Sequence, residues 1–275
     1  MSRKLALMLA LAAACSDRSF PPAGDAATDA RADAGPLFPD VDVPETEPPG
    51  SSEVFAHSQD TLYRLDPVTA AVTTVGAFSG CSSVEDIALD QTSRMFATTL
   101  DGLYEIDRKT AKCTLVKTGS YPNSLSFVPA GTLDATSEVL VGFLGDQYVR
   151  IDTTSGAMQT VGAIGGGYTS SGDVVAVKGG GTYLTVKGGP NSCNDCLIQV
   201  DPKNGSFLLE WSPLGHTAVF GIAFWGGSVY AFDAAGEILK IDFQGLAMQI
   251  SAVTAPPGTS FYGAGSTTIA PLVPN

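Results

Sequence analysis

Leu103-Tyr104-Glu105-Ile106-Asp107-Arg108-Lys109-Thr110-Ala111-Lys112-Cys113-Thr114-Leu115-Val116-Lys117-Thr118-Gly119 decides how this chain is read, because its plan recurs. The other copies centre on Tyr63-Arg64-Leu65-Asp66, Tyr148-Val149-Arg150-Ile151-Asp152, Leu197-Ile198-Gln199-Val200-Asp201 and Ile238-Leu239-Lys240-Ile241-Asp242. In the quoted stretch Leu103, Glu105 and Asp107 alternate with Tyr104 and Ile106, the period of a half-buried strand. The Asp then opens a tight turn. Asp66-Pro67, Asp152-Thr153-Thr154-Ser155-Gly156 and Asp201-Pro202-Lys203-Asn204-Gly205 place a carboxylate where it can accept backbone amides further along the turn. Pro presets φ at the next position, and Gly156 and Gly205 suit the left-handed residue of a bulged hairpin. A second strand follows, as in Val72-Thr73-Thr74-Val75-Gly76. These aspartates read as turn caps, not catalysts.

The intervals between successive copies of the Asp are 41, 45, 49 and 41 residues. That period suits four strands per unit, the repeat of a β-propeller. Let the strands of a blade be a to d, from the central channel outward. Strand a is then Asp86-Ile87-Ala88-Leu89, Ser124-Leu125-Ser126-Phe127, Asp173-Val174-Val175-Ala176 and Gly221-Ile222-Ala223-Phe224. The first copy lacks one, and the missing strand lies at the far end, in Tyr262 to Pro271. The expectation is an all-β, five-bladed propeller of four-stranded antiparallel blades over residues 53–275. The C-terminal strand would pair into the first blade and remove two open sheet edges. The repeats resemble the NHL, YVTN and related extracytoplasmic propeller families, whose blades carry a similar Leu-Tyr-x-Ile-Asp-x-x-Thr-Gly unit. The resemblance spans nearly all of residues 53–271 and bears on fold, since propellers serve as binding platforms and as enzymes alike.

Two segments precede the repeats. Residues 1–15 read as an export signal: Ser2-Arg3-Lys4, a ten-residue apolar stretch from Leu5 to Ala14, then Cys15. Leu11-Ala12-Ala13-Ala14-Cys15 resembles the bacterial lipoprotein signal, which implies lipidation of Cys15 and a membrane partner. Leu11 stands four residues before the Cys, where the usual pattern has three. Cleavage near Ala14 to give a soluble secreted protein is the other reading. Ser16 in place of Asp after the Cys favours the outer membrane of the cell envelope by analogy. Residues 16–52 form a Pro/Ala/Asp-rich tether with little to bury. As a coil it would span roughly 35 Å. Of the net charge of −13, this tether carries −6 and residues 53–275 carry −9. An acidic surface repels phosphate backbones, which argues against nucleic-acid partners.

Propeller topology sorts the loops onto two faces, with the tight Asp turns on one. The other face carries the longer connections, near residues 77–85, 162–172, 187–196, 212–220 and 252–261. Long loops on a rigid scaffold are the usual place for binding. Aromatic or imidazole groups lie in each of the connections into strand a, among them Tyr121, Tyr168, His216 and Tyr262. They could line a site for a protein, peptide or glycan, or wedge between blades. Carboxylates at the starts of strand a offer a second possibility: Glu85 or Asp86, Asn123 and Asp173 are an oxygen set that calcium accepts. That would support a metal-dependent hydrolase or lyase. Nucleophilic catalysis finds no Gly-x-Ser-x-Gly elbow. His57 aligns with Thr98 and Phe232 and reads as a strand residue; His216 has no recognisable partner in the sequence. Cys193-Asn194-Asp195-Cys196 reads as a local disulfide, since zinc usually takes four ligands. Cys81 and Cys113 make an even count, which favours a second bridge. Against it, Cys81 is expected on the long-loop face and Cys113 near the other. Together these features predict a lipid-anchored, extracytoplasmic, non-catalytic binding or scaffolding module that needs no cofactor.

Overall fold

The computed structural model describes residues 52–245 and 247–274. The expected signal, Cys15 and almost all of the expected tether lie outside the described residues. Every regular element among those described is a β-strand. Blade one holds β1 (Val54–His57), β2 (Thr61–Asp66) and β3 (Ala71–Ala77); blade two holds β4 (Val84–Leu89), β5 (Met95–Thr99), β6 (Gly102–Asp107) and β7 (Lys112–Thr118). Blade three holds β8 (Leu125–Val128), β9 (Val139–Leu144), β10 (Gln147–Ile151) and β11 (Met158–Ala163). Blade four holds β12 (Tyr168–Ala176), β13 (Thr182–Gly188), β14 (Cys193–Val200) and β15 (Phe207–Pro213). Blade five holds β16 (Val219–Trp225), β17 (Ser228–Asp233), β18 (Ile238–Gln244) and β19 (Ala247–Val253). The last strand, β20 (Gly263–Ser266), joins blade one in the order β20-β1-β2-β3, giving five four-stranded sheets. All their pairings are antiparallel.

The inner strands touch in a closed ring, β4 on β8, β8 on β12, β12 on β16, β16 on β20 and β20 on β4. Packing follows from this. The strands nearest the axis have no solvent face, so their alternate side chains enter different seams between blades, while the outer strands β3, β7, β11 and β19 are largely exposed. Phe55 packs with Ile87 and Leu89 of blade two, while its neighbours Val54 and Ala56 pack with Phe232 and Ile238 of blade five. Five apolar clusters result, one at each seam. Closure is tied at the chain's far points. Val54 pairs with Ser266 and His57 with Gly263. The Glu53 amide bonds Thr267 Oγ1 at 3.2 Å, and the Thr267 amide bonds Glu53 O at 3.1 Å. The buried Glu53 carboxylate meets Arg108 of blade two at 3.1 Å and Arg64 at 3.6 Å.

The Asp turns do what their residues suggest. Oδ1 of Asp66, Asp107 and Asp152 each accepts two amides, two and three residues on, and Oδ1 of Asp201 accepts that of Lys203. Gly156 and Gly205 take φ of 69° and 72°, while Ala70 and Ala111 hold the same position in blades one and two at 59° and 55°. The fifth copy departs. Asp242 does not open a turn but pairs with Gln249 inside a longer hairpin, and its carboxylate takes the Ser228 hydroxyl at 2.5 Å and Lys240 Nζ at 3.0 Å.

Both disulfides are present, Cys81–Cys113 and Cys193–Cys196, with Cα–Cα distances of 5.6 and 5.9 Å. The topological objection to the first fails because blades twist from inner to outer strand. That twist brings the start of β7 round against the connection leaving blade one. There Ser79 bridges Lys112, and the Cys113 amide bonds Ser79 O at 2.8 Å.

Candidate functional site

Glu85, Asn123, Phe220 and Tyr262 each stand just ahead of, or early in, an inner strand, and Gly172 lies at the irregularity in the middle of β12, so every blade supplies one. All five line a cavity of about 190 Å³ at the mouth of the channel on the long-loop face. Gln59, Ser83, Val84 and Leu100 complete its wall. The rings of Phe220 and Tyr262 lie 5.9 Å apart, tilted by 33°. Opposite chemistry comes from Glu85, whose pKa is raised by burial, and from the Asn123 amide. The cavity thus combines a flat apolar wall with a carboxylate and an amide.

One residue further along each strand the channel is closed. Asp86 and Asp173 sit here, both fully buried. Each carboxylate joins two blades. Asp86 accepts the amides of Ile87 at 2.9 Å and Leu125 of the next blade at 2.6 Å. Asp173 accepts those of Val174 at 2.6 Å and Ile222 of the next blade at 2.8 Å. Ser126 and Ser266 do the same one layer down, taking the amides of Ala176 and Phe224 across their seams at 3.1 and 3.0 Å. Burial pushes the Asp173 pKa up to about 8. Burial, then the charge of Asp173, and then its hydrogen bond carry Asp86 well above the usual carboxylate range. Two anions cannot share so dry a space, so protonation belongs to the pair as a unit.

The room for this pair is made by glycine. A Cβ at Gly263 would stand 2.3 Å from Nε2 of His57 and 2.4 Å from Oδ1 of Asp86. His57 is fully buried, and its Nδ1 lies 2.8 Å from Ser58 O. Burial lowers its pKa to about 4, so it is neutral in the folded protein. Its alignment with Thr98 and Phe232 identified a strand residue but not this contact with the channel.

The residues singled out in the sequence therefore separate. Tyr262 lines the cavity. Tyr121 is buried and donates its hydroxyl to Gly156 O at 2.8 Å; Tyr168 is buried, stacks on Phe207 and donates to Glu210. The Tyr121 ring thus ties the connection leaving blade two to the outer turn of blade three, and the Tyr168 ring braces the inner strand of blade four against its outer strand. His216 sits elsewhere on the same face, with partners that its sequence neighbours do not reveal: Asp233 and Glu237. Of the calcium candidates, Glu85 and Asn123 share the cavity wall, while Asp173 lies in the layer beneath with both oxygens on backbone amides. Phe220 lies in the same aromatic-bearing connection as His216 and does line the cavity, while sequence alone assigns Gly172 no role there and offers Asp86 beside Asp173 only as a metal ligand. The repeat alignment carries the signal in two adjacent registers: Glu85, Asn123, Gly172, Phe220 and Tyr262 in one, Asp86 and Asp173 in the next.

No family model and no curated protein matches the chain. Among solved structures it is similar to a chain from the crystal structure of a nidogen/laminin complex. That likeness has a TM-score of 0.49 and 11% identity, covering 78% of this chain and 98% of the other. It is also similar to a protein of unknown function from Bacteroides caccae, with a TM-score of 0.41 and 11% identity over 78% of this chain and 77% of that one.

Proposed function

We propose that the protein is a non-catalytic binding module of the bacterial cell envelope, held to a membrane through lipid on Cys15, and that its ligand enters the channel mouth. The observation that carries the reading is the convergence of one residue from every blade on a single cavity. Phe220 and Tyr262 offer a flat face, and Glu85 and Asn123 offer acceptors. Such a wall suits a sugar ring or a short peptide end that carries hydroxyl or amine donors on one side and carbon on the other. The non-catalytic reading is supported by the buried carboxyls. Every oxygen of Asp86 and Asp173 is engaged by a backbone amide, and neither residue has exposed surface. The lipid anchor is supported by the Leu11–Cys15 motif. The purified protein, screened on glycan and peptide arrays beside Tyr262→Ala and Glu85→Gln, tests the site. Binding of one ligand class should be lost in the first variant and weakened in the second. Binding that survives both changes would place the ligand elsewhere. Mass spectrometry of the mature N-terminus tests the anchor.

A further inference from the structure

We propose that His216, Asp233 and Glu237 form a site for a divalent transition-metal ion of the zinc type, on the long-loop rim of blade five. Nδ1 of His216 lies 3.3 Å from Oδ2 of Asp233 and 2.9 Å from Oε2 of Glu237. One ligand atom from each residue lies within 4.8 Å of the other two. A ring nitrogen carries at most one hydrogen, so two carboxylates crowd a single donor position and share it at best as a three-centre bond. A cation bound by all three groups removes that conflict.

The dimensions fit. Bonds of about 2.0–2.2 Å put neighbouring ligands of a tetrahedral ion roughly 3.3–3.5 Å apart. The Asp233 contact already has that spacing. The Glu237 contact must open by about half an ångström, and its side chain, 58% exposed, can swing that far. The donor set is one imidazole and two carboxylates, which suits zinc and its neighbours; calcium and magnesium prefer oxygen alone. The partial exposure of His216 and Glu237 leaves a fourth position to water.

The ligands are also set in place before an ion arrives. Asp233 is buried, and its Oδ1 accepts the Glu237 amide at 2.8 Å, which turns Oδ2 toward His216. The Asp233 amide in turn bonds Glu237 O at 3.1 Å. The connection bearing His216 is stitched to this turn by the Ala234 amide on Ala218 O at 3.0 Å. It is fixed from the other side by Asp195 Oδ2, which accepts the Ala218 amide at 2.8 Å. Ligands held by surrounding bonds make the better metal site. An ion here would pin the connection that leads to Phe220 on the cavity wall.

The test uses the full chain, disulfides intact and stripped of metal by chelator, titrated with Zn²⁺ by calorimetry. Wild type should take up one equivalent. His216→Ala should abolish that uptake, and Glu237→Gln should weaken it by more than the ~10-fold that losing a supporting group costs. Both side chains are partly exposed, so the zinc-free variants should melt as wild type does, which separates loss of the site from loss of the fold. Absence of saturable uptake by wild type, or uptake that survives His216→Ala, overturns the proposal.

Discussion

Gly263→Ala adds one methyl group to the channel, and its consequence can be worked from the distances around it. The new carbon would stand 2.3 Å from Nε2 of His57, 2.4 Å from Oδ1 of Asp86 and 3.1 Å from Asp86 Cα, where ordinary contact begins at 3.4 Å. Two side chains must each withdraw by roughly 1 Å to restore contact distance. Neither has room, for both are fully buried. Asp86 is held as well by the Ile87 and Leu125 amides. Overpacking of this kind costs about 1–3 kcal/mol. If Asp86 releases an amide, the stranded group adds about 1–3 kcal/mol. A domain of this size loses ~2–4 °C of melting temperature per kcal/mol, so with both costs the fall should be roughly 4–24 °C. Gly76→Ala is the control. It too lies in a strand, but the nearest atom to its added carbon is Thr110 O at 3.8 Å, and it should stay within about 1 kcal/mol of wild type. Circular-dichroism melts at one pH, with disulfides intact, compare the two. If Gly263→Ala melts with Gly76→Ala, the channel is not packed as described and the reasoning about Asp86 falls.

Deleting residues 262–275 removes β20 and should cost cooperative unfolding of the whole domain, read by near-ultraviolet dichroism and proteolysis; a melt like wild type contradicts closure. The pH profile should fall from about 6.5 to 8. Burial lifts the Asp173 pKa to about 8, so the folded chain keeps a proton that the unfolded chain releases near 4, and stability declines as pH climbs through that interval. His57, lowered by burial to about 4, acts in the opposite sense, withdrawing stability as pH falls from about 6.5, so the two effects oppose each other only in the acid range. Urea midpoints in wild type and Asp173→Asn check this, the variant being the flatter above pH ~6.5. Removing Cys81–Cys113, which encloses 32 residues of separation, should cost ~3–4 kcal/mol, against ~2 kcal/mol for Cys193–Cys196 with a separation of 3. Urea midpoints of the paired serine variants that come out in the reverse order contradict the chain-entropy account.

The ring was legible because its causes are local and repeated. Asp107 with its turn, the alternation in β6 and the spacing to the next Asp all lie within a few dozen residues and recur. Even closure could be counted, since blade one lacked its inner strand. What was not legible depends on the angle between blades. Asp86 and Asp173 meet across the axis from blades two and four, and no neighbouring residue marks that meeting. Their shared register in strand a was the available clue, and it was read as a calcium set with Glu85 and Asn123. His216 finds Asp233 and Glu237 only because the connection into β16 folds onto the β17–β18 turn. Cys81 and Cys113 looked too far apart because the repeat fixes strand order but not blade twist. Asp242 shows the converse limit: it keeps the sequence pattern of a turn opener but sits within a longer hairpin.

The pairing of β1 with β20 sets an order of events. Among the described residues β1, β2 and β3 come first in the chain, yet their sheet is the last that can be completed. Until the final strand emerges, the newborn chain holds its oldest blade one strand short. Such long-range joining slows folding. Until that strand arrives, the start of the domain stays open to misassembly, while blades two to five already have every strand they need.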